Sequence, residues 1–105
     1  MSHRCDTYGF TDATLEPLAA QVQHILDLPL RERDSSYRGG KYYRYGLAQG
    51  RELLLYNNRA GVSDTWVREE YREYAVLLEV SDLDDMDAIR DKLTRELGGV
   101  LLSST

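Results

Sequence analysis

The sequence predicts a small α+β fold: a mainly antiparallel sheet of four to five strands with two helices on one face, in the order α-β-β-β-β-α-β. Three observations predict it. Apolar residues recur at three- and four-residue steps in two segments, one towards each end of the chain. Between them lie short segments rich in tyrosine, leucine and valine, punctuated by glycine and asparagine. Strands that follow one another between helices, without alternating with them, pair with their sequence neighbours, and that makes the sheet antiparallel.

Residues 1–10, MSHRCDTYGF, carry no periodic pattern and read as a flexible arm on a single domain spanning 1–105. A helix follows over 13–27. Leu15, Leu18, Ala19, Val22, Ile25 and Leu26 form its apolar face, and Thr11 or Asp12 offers an N-cap. Pro17 is tolerated because the first helical turn has no N–H to lose, and Pro29 ends the segment. "LRERDSS" reads as a short strand with Leu30 inward, "KYYRYGL" (41–47) and "RELLLYN" (51–57) as fuller ones, joined through Gly50. "EYAVLLEV" (73–80) is apolar at most positions and reads as the central strand, with Val76, Leu78 and Val80 on one face. The second helix, 84–97, buries Met86, Ile89, Leu93 and Leu97. Its early aspartates suit the positive end of the helix dipole, and Gly98-Gly99 stops it. A last strand covers 100–104.

Composition narrows the functional classes. A chain of 105 residues, 42% apolar and 30% charged, is folded and has room for one core. No apolar run is long enough for a membrane helix, and the N-terminus lacks the apolar stretch of a secretory signal. Cys5 stands alone, so no internal disulfide can form, and a cytoplasmic location is expected. The net charge of −5 is concentrated in residues 60–105, which carry 11 acidic and 5 basic residues. Such a chain attracts basic partners and repels nucleic acid.

Motifs that would carry chemistry are missing. "DSSYRGGKYYRYG" (34–46) gathers glycines and a lysine, but the spacing is not that of a phosphate loop and it leads into a strand, not a helix. It reads as a turn, with Ser35 and Ser36 bonding the backbone, Gly39 or Gly40 at positive φ, and a strand after it. His3, His24 and Cys5 are too few and too scattered for a metal site, and the aspartates at 82, 84, 85 and 87 lack the glycine of a calcium loop. Neither a metal, a cofactor nor a catalytic set is expected. Stacking of single-stranded nucleic acid on the tyrosines, or a small enzyme with an unrecognised ligand, remain the alternatives.

Protein binding is the class the residues favour, because Tyr, Trp and Arg are the types enriched at interface hot spots. Two surfaces qualify. In the first, Trp66 stands among Asp64, Glu69, Glu70 and Glu73, an aromatic anchor with carboxylates suited to a basic groove; the competing reading folds Trp66 into the core. The second is Tyr37, Arg38, Tyr42 and Arg44, with the Tyr42/Arg44 side of its strand to solvent and Tyr43, Tyr45 and Leu47 to the core.

The stretch "RERDSSYRGGKYYRYG…RELLLYNN", followed by "EYAVLLEV" and a capped C-terminal helix, resembles small bacterial cytoplasmic proteins of the toxin-immunity type, most specifically at Ser-Ser-Tyr-x-Gly-Gly-x-Tyr-Tyr. That resemblance implies no catalytic residue. It implies a protein that binds and neutralises a cognate toxin, here one with a basic domain.

Overall fold

The computed structural model describes residues 4–35, 40–59 and 66–105. Its elements are β1 (Cys5–Phe10), α1 (Leu15–Leu26), β2 (Arg31–Ser35), β3 (Gly40–Gly46), β4 (Glu52–Asn57), β5 (Val76–Ser81), α2 (Met86–Glu96) and β6 (Val100–Ser104). The strands form one sheet in the order β2-β3-β4-β5-β1-β6, and all neighbours are antiparallel. The α+β class therefore holds, with two corrections. The sheet has six strands, not four to five, and the order is β-α-β-β-β-β-α-β.

Both corrections come from β1. The stretch expected to be an arm supplies, in Cys5–Phe10, an interior strand lying between β5 and β6. The crossover β5–α2–β6 leaves a slot one strand wide, and β1 fills it. Tyr8 and Phe10 alternate into the main core beside the helices, while Gly9 faces the other way. Glycine is needed there because a Cβ at position 9 would lie 2.6 Å from the Tyr74 ring, which packs directly on the backbone.

Both helices pack into one cluster on one face of the sheet. Leu15, Leu18 and Val22 of α1 and Ile89 and Leu93 of α2 meet Leu53, Leu55, Val76, Leu78 and Val80 of β4 and β5. The helix spans are one to two residues shorter at each end than their apolar periods suggested. Leu97, expected in the buried stripe, is only half-buried, because it lies past the end of α2. The aspartates around the start of α2 make no side-chain cap. Asp82 accepts from the Arg4 backbone N–H at 2.6 Å, Asp84 pairs with Arg51 at 3.0 Å, and Asp87 pairs with Arg4 at 2.8 Å. They tie β1 and β4 to this corner. Gly40, at φ 100°, and Gly50, at φ 75°, take positive φ angles that glycine adopts without steric cost.

One carboxylate lies inside this architecture. Asp6 is fully buried and takes hydrogen bonds from Ser104 Oγ (2.6 Å), Arg90 Nη2 (3.1 Å), Arg4 Nη2 (3.2 Å) and Tyr8 Oη (3.2 Å). It joins β1, α2 and β6. Burial pushes its carboxyl up, but the bonds from Ser104, Arg4 and Arg90 outweigh burial and hold it below the usual carboxylate range. The Tyr8 hydroxyl, buried beside this anion, is pushed up to about 12.

Because the folded pKa of Asp6 is depressed, its stabilisation is present above the unfolded value of about 3.9 and is lost as pH falls through the folded one. Asp6→Asn is expected to cost about 2–3 kcal/mol at neutral pH, since hydrogen bonds to charged groups contribute about 1.5–3 kcal/mol each and the two guanidinia stay partly hydrated. The deficit should narrow in acid, where the wild-type carboxylate is itself protonated. Urea denaturation at pH 7 and pH 3 measures this, and an equal deficit at both would show that the charge is not what holds these elements.

Candidate protein-binding surface

The sheet face opposite the helices carries a second, smaller cluster. Leu54, Tyr56 and Leu77 are buried there by Val67, Tyr71 and Tyr74, with Tyr42 and Leu102 at the margins. The cover is the segment 66–75, whose regular part is one 3-10 turn, Glu69–Tyr71. Such a segment has few backbone bonds of its own, so something else must fix it.

Asn58 does so. Its side chain is fully buried. The amide nitrogen donates towards three carbonyls of the segment, those of Tyr71 (2.8 Å), Arg68 (3.2 Å) and Tyr74 (3.2 Å). The amide oxygen accepts from the Arg68 N–H at 2.7 Å. Its backbone completes the clamp: the Asn58 N–H donates to Ala75 O, and the Val67 N–H donates to Asn58 O. No other residue type offers donors and an acceptor at this reach. One side chain at the end of β4 therefore pins the whole segment on the sheet.

Arg68 fixes the segment electrostatically. Its guanidinium lies 5.1 Å from the Tyr71 ring centroid, 3.3 Å from Glu70 and 3.8 Å from Glu79. Tyr56 donates a close hydrogen bond to Glu79, and burial, then that bond and that charge, raises the Tyr56 pKa. The inner carboxylate, Glu79, is thus engaged under the segment. Glu69, Glu70 and Glu73 are exposed on its outside, with Arg72 exposed among them. Trp66 is half-buried and bridges by its backbone to Arg59, so it is neither a core side chain nor a free one.

Asp64, Tyr37, Arg38 and the Ser36 and Gly39 of the expected turn lie outside the described residues. Tyr42 and Arg44 do share a face, as alternation required, and that face is only partly covered. Tyr42 packs against the second cluster, and Arg44 is half-buried, with its Nε 3.2 Å from Glu52. Tyr43 and Tyr45 pack against the main core as expected, whereas Leu47 is 42% exposed beyond the end of β3. The two expected surfaces therefore differ: the segment at Trp66 is clamped to the sheet, while Tyr42 packs at the margin of the second cluster and Arg44 stays partly exposed beside Glu52.

The remaining depressions are open. One, 230 Å³ and largely apolar, lies between the end of α1 and α2 beside Leu26, Leu28, Tyr45 and Leu47. Among the described residues no group of three or more His, Cys, Asp or Glu could hold a metal ion, and no helix is long and apolar enough to cross a membrane. Sequence reasoning missed Asn58 and Asp6, the two buried polar residues that organise this molecule. Comparison with known proteins finds no matching family model and no significantly similar curated sequence.

Proposed function

We propose that this chain is a cytoplasmic protein-binding and neutralising protein, an immunity protein for a toxin with a basic site, and that segment 66–73 is the surface that meets it. The observation that carries the reading is the clamp at Asn58. The short segment 66–75, with little secondary structure, is held by the side-chain amide and both backbone groups of one residue, and its outer side carries Glu69, Glu70 and Glu73. A surface ordered before binding loses little conformational entropy when a partner arrives. Exposed carboxylates beside a half-buried tryptophan supply steering and an anchor. Arg72 within the patch gives the partner one carboxylate position to match, and so adds specificity. The resemblance around "SSYRGGKYY" points to the same class.

The test uses the chain as bait in extracts of its native cell. It should capture one basic protein, release it at about 0.5 M salt, where the screening length has fallen to a few ångströms, and abolish that protein's activity on mixing. Capture of nothing, or a partner whose activity persists in the complex, would contradict the reading.

A further inference from the structure

The outer strand β2 carries a second feature, independent of the acidic segment. Its sequence Arg31-Glu32-Arg33-Asp34 alternates in charge, and alternation in a strand sorts side chains by face. The register with β3 fixes which face is which. Arg31 stands opposite Arg44 and Arg33 opposite Tyr42. Tyr43 and Tyr45 point to the helix side, so Arg31, Arg33 and Arg44 all lie on the other side. Glu32 and Asp34 fall on the helix side, where Glu32 already meets Lys41 at 3.3 Å and the Tyr43 hydroxyl at 3.3 Å.

Arg31, Arg33 and Arg44 thus line one cavity of 380 Å³, completed by Pro29, Tyr45 and Gly46. Placing Arg31 directly opposite Arg44 puts like charges side by side, a destabilising cross-strand pair. Arg31 and Arg33 are exposed and have no carboxylate partner among the described residues. The Arg44 guanidinium is held flat over Gly46: a Cβ at position 46 would lie 2.4 Å from it. Arg31 and Arg33 are thus uncompensated in a chain of net charge −5, while Arg44 is shared with Glu52.

We propose that the edge of β2 is a docking site for an extended acidic protein segment, which pairs with the strand's backbone and sets carboxylates at alternate residues against Arg31, Arg33 and Arg44. β2 is the end of the sheet, and among the described residues nothing pairs with its outer backbone groups, which suits strand addition. Carboxylates two residues apart on a strand repeat about every 6.8 Å, the spacing of Arg31 and Arg33 themselves. Guanidinium binds carboxylate through paired hydrogen bonds. A second copy of the chain does not fit. In a two-fold antiparallel pair, residues sharing a face oppose one another: Arg33 meets Arg33 while Glu32 meets Asp34, or Arg31 meets Arg33 while Glu32 meets Glu32. A nucleic-acid strand gains no backbone pairing and meets Glu32 and Asp34 along the same edge.

The probe is the heptapeptide Thr-Glu-Thr-Glu-Thr-Glu-Thr, titrated into the nitrogen-labelled protein and followed by amide resonances. It should shift the amides of Arg31–Asp34 with a Kd below about 1 mM, and Arg31→Gln/Arg33→Gln should weaken it roughly tenfold, the equivalent of one charge-assisted hydrogen bond. Gly46→Ala, which displaces the Arg44 guanidinium without touching the core, should weaken it as well. The lysine counterpart of the peptide should not bind. Unmoved β2 amides in the presence of the glutamate peptide would overturn the proposal. So would tighter binding of oligothymidine than of the peptide, which would make the edge a nucleic-acid site.

Discussion

Asn58→Asp is expected to destabilise the protein by about 3–5 kcal/mol, the scale of an uncompensated buried charge. The change is nearly isosteric, so packing is kept. What it removes is the amide donor that now faces the carbonyls of Arg68, Tyr71 and Tyr74. A carboxylate in that place directs negative charge at three carbonyl oxygens in a fully buried site. It escapes only by taking up a proton or by releasing the segment, and release exposes Leu54, Tyr56 and Leu77. A small domain has about 5–15 kcal/mol in total, so the loss is a large part of it. For a chain of this size the melting temperature should fall by more than about 10 °C. Amides of residues 66–75 should lose exchange protection before those of β5 do. A variant that melts like the wild type would show that the segment is held by its apolar contacts, not by this side chain.

The sequence disclosed the elements whose periodicity is apolar. α1, α2, β3, β4, β5 and β6 all lie where their patterns put them, and the helix face of the sheet follows from Val76, Leu78 and Val80. β1 was hidden for a specific reason. Its inward positions begin with Asp6, whose burial depends on Arg4, Ser104 and Arg90, and Arg90 and Ser104 lie far along the chain. A reading based on alternation of apolar residues cannot register a strand whose buried position is a carboxylate paired at long range. Gly9 weakened the strand signal further, although the Tyr74 ring that requires it sits across the sheet.

The site was legible in part. Trp66 and the exposed glutamates follow from composition, but whether the tryptophan was core or surface depended on the segment's seat. That seat is Asn58, one of two adjacent asparagines in a stretch that reads as loop by local signals. Nothing local distinguishes an asparagine that caps a turn from one that fastens a distant segment. Tyr42 is partly covered because, although a sheet with one covered face leaves the other to solvent by default, here segment 66–75 covers part of it.

The largest functional effect is expected from reversing Glu69, Glu70 and Glu73 to lysine together. All three are exposed, and the ion pair the reversal breaks, Glu70 with Arg68, is a surface pair while Asn58 still holds the segment, so the fold should be little affected. The formal charge moves from −5 to +1, and the patch that faces the partner changes sign. Long-range attraction acts on the encounter more than on the formed complex. The association rate with the captured basic partner should therefore fall by more than about tenfold at low salt, while the dissociation rate changes much less. Raising ionic strength from about 0.01 M to about 0.15 M shortens the screening length from roughly 30 Å to roughly 8 Å, which should slow the wild type and spare the variant. Stopped-flow association of wild type and triple variant at low salt, after circular dichroism has verified the fold, is the most direct test that the mounted acidic segment is the binding surface. A much slower, salt-insensitive variant is the expected result; association at the wild-type rate would show that another surface meets the partner.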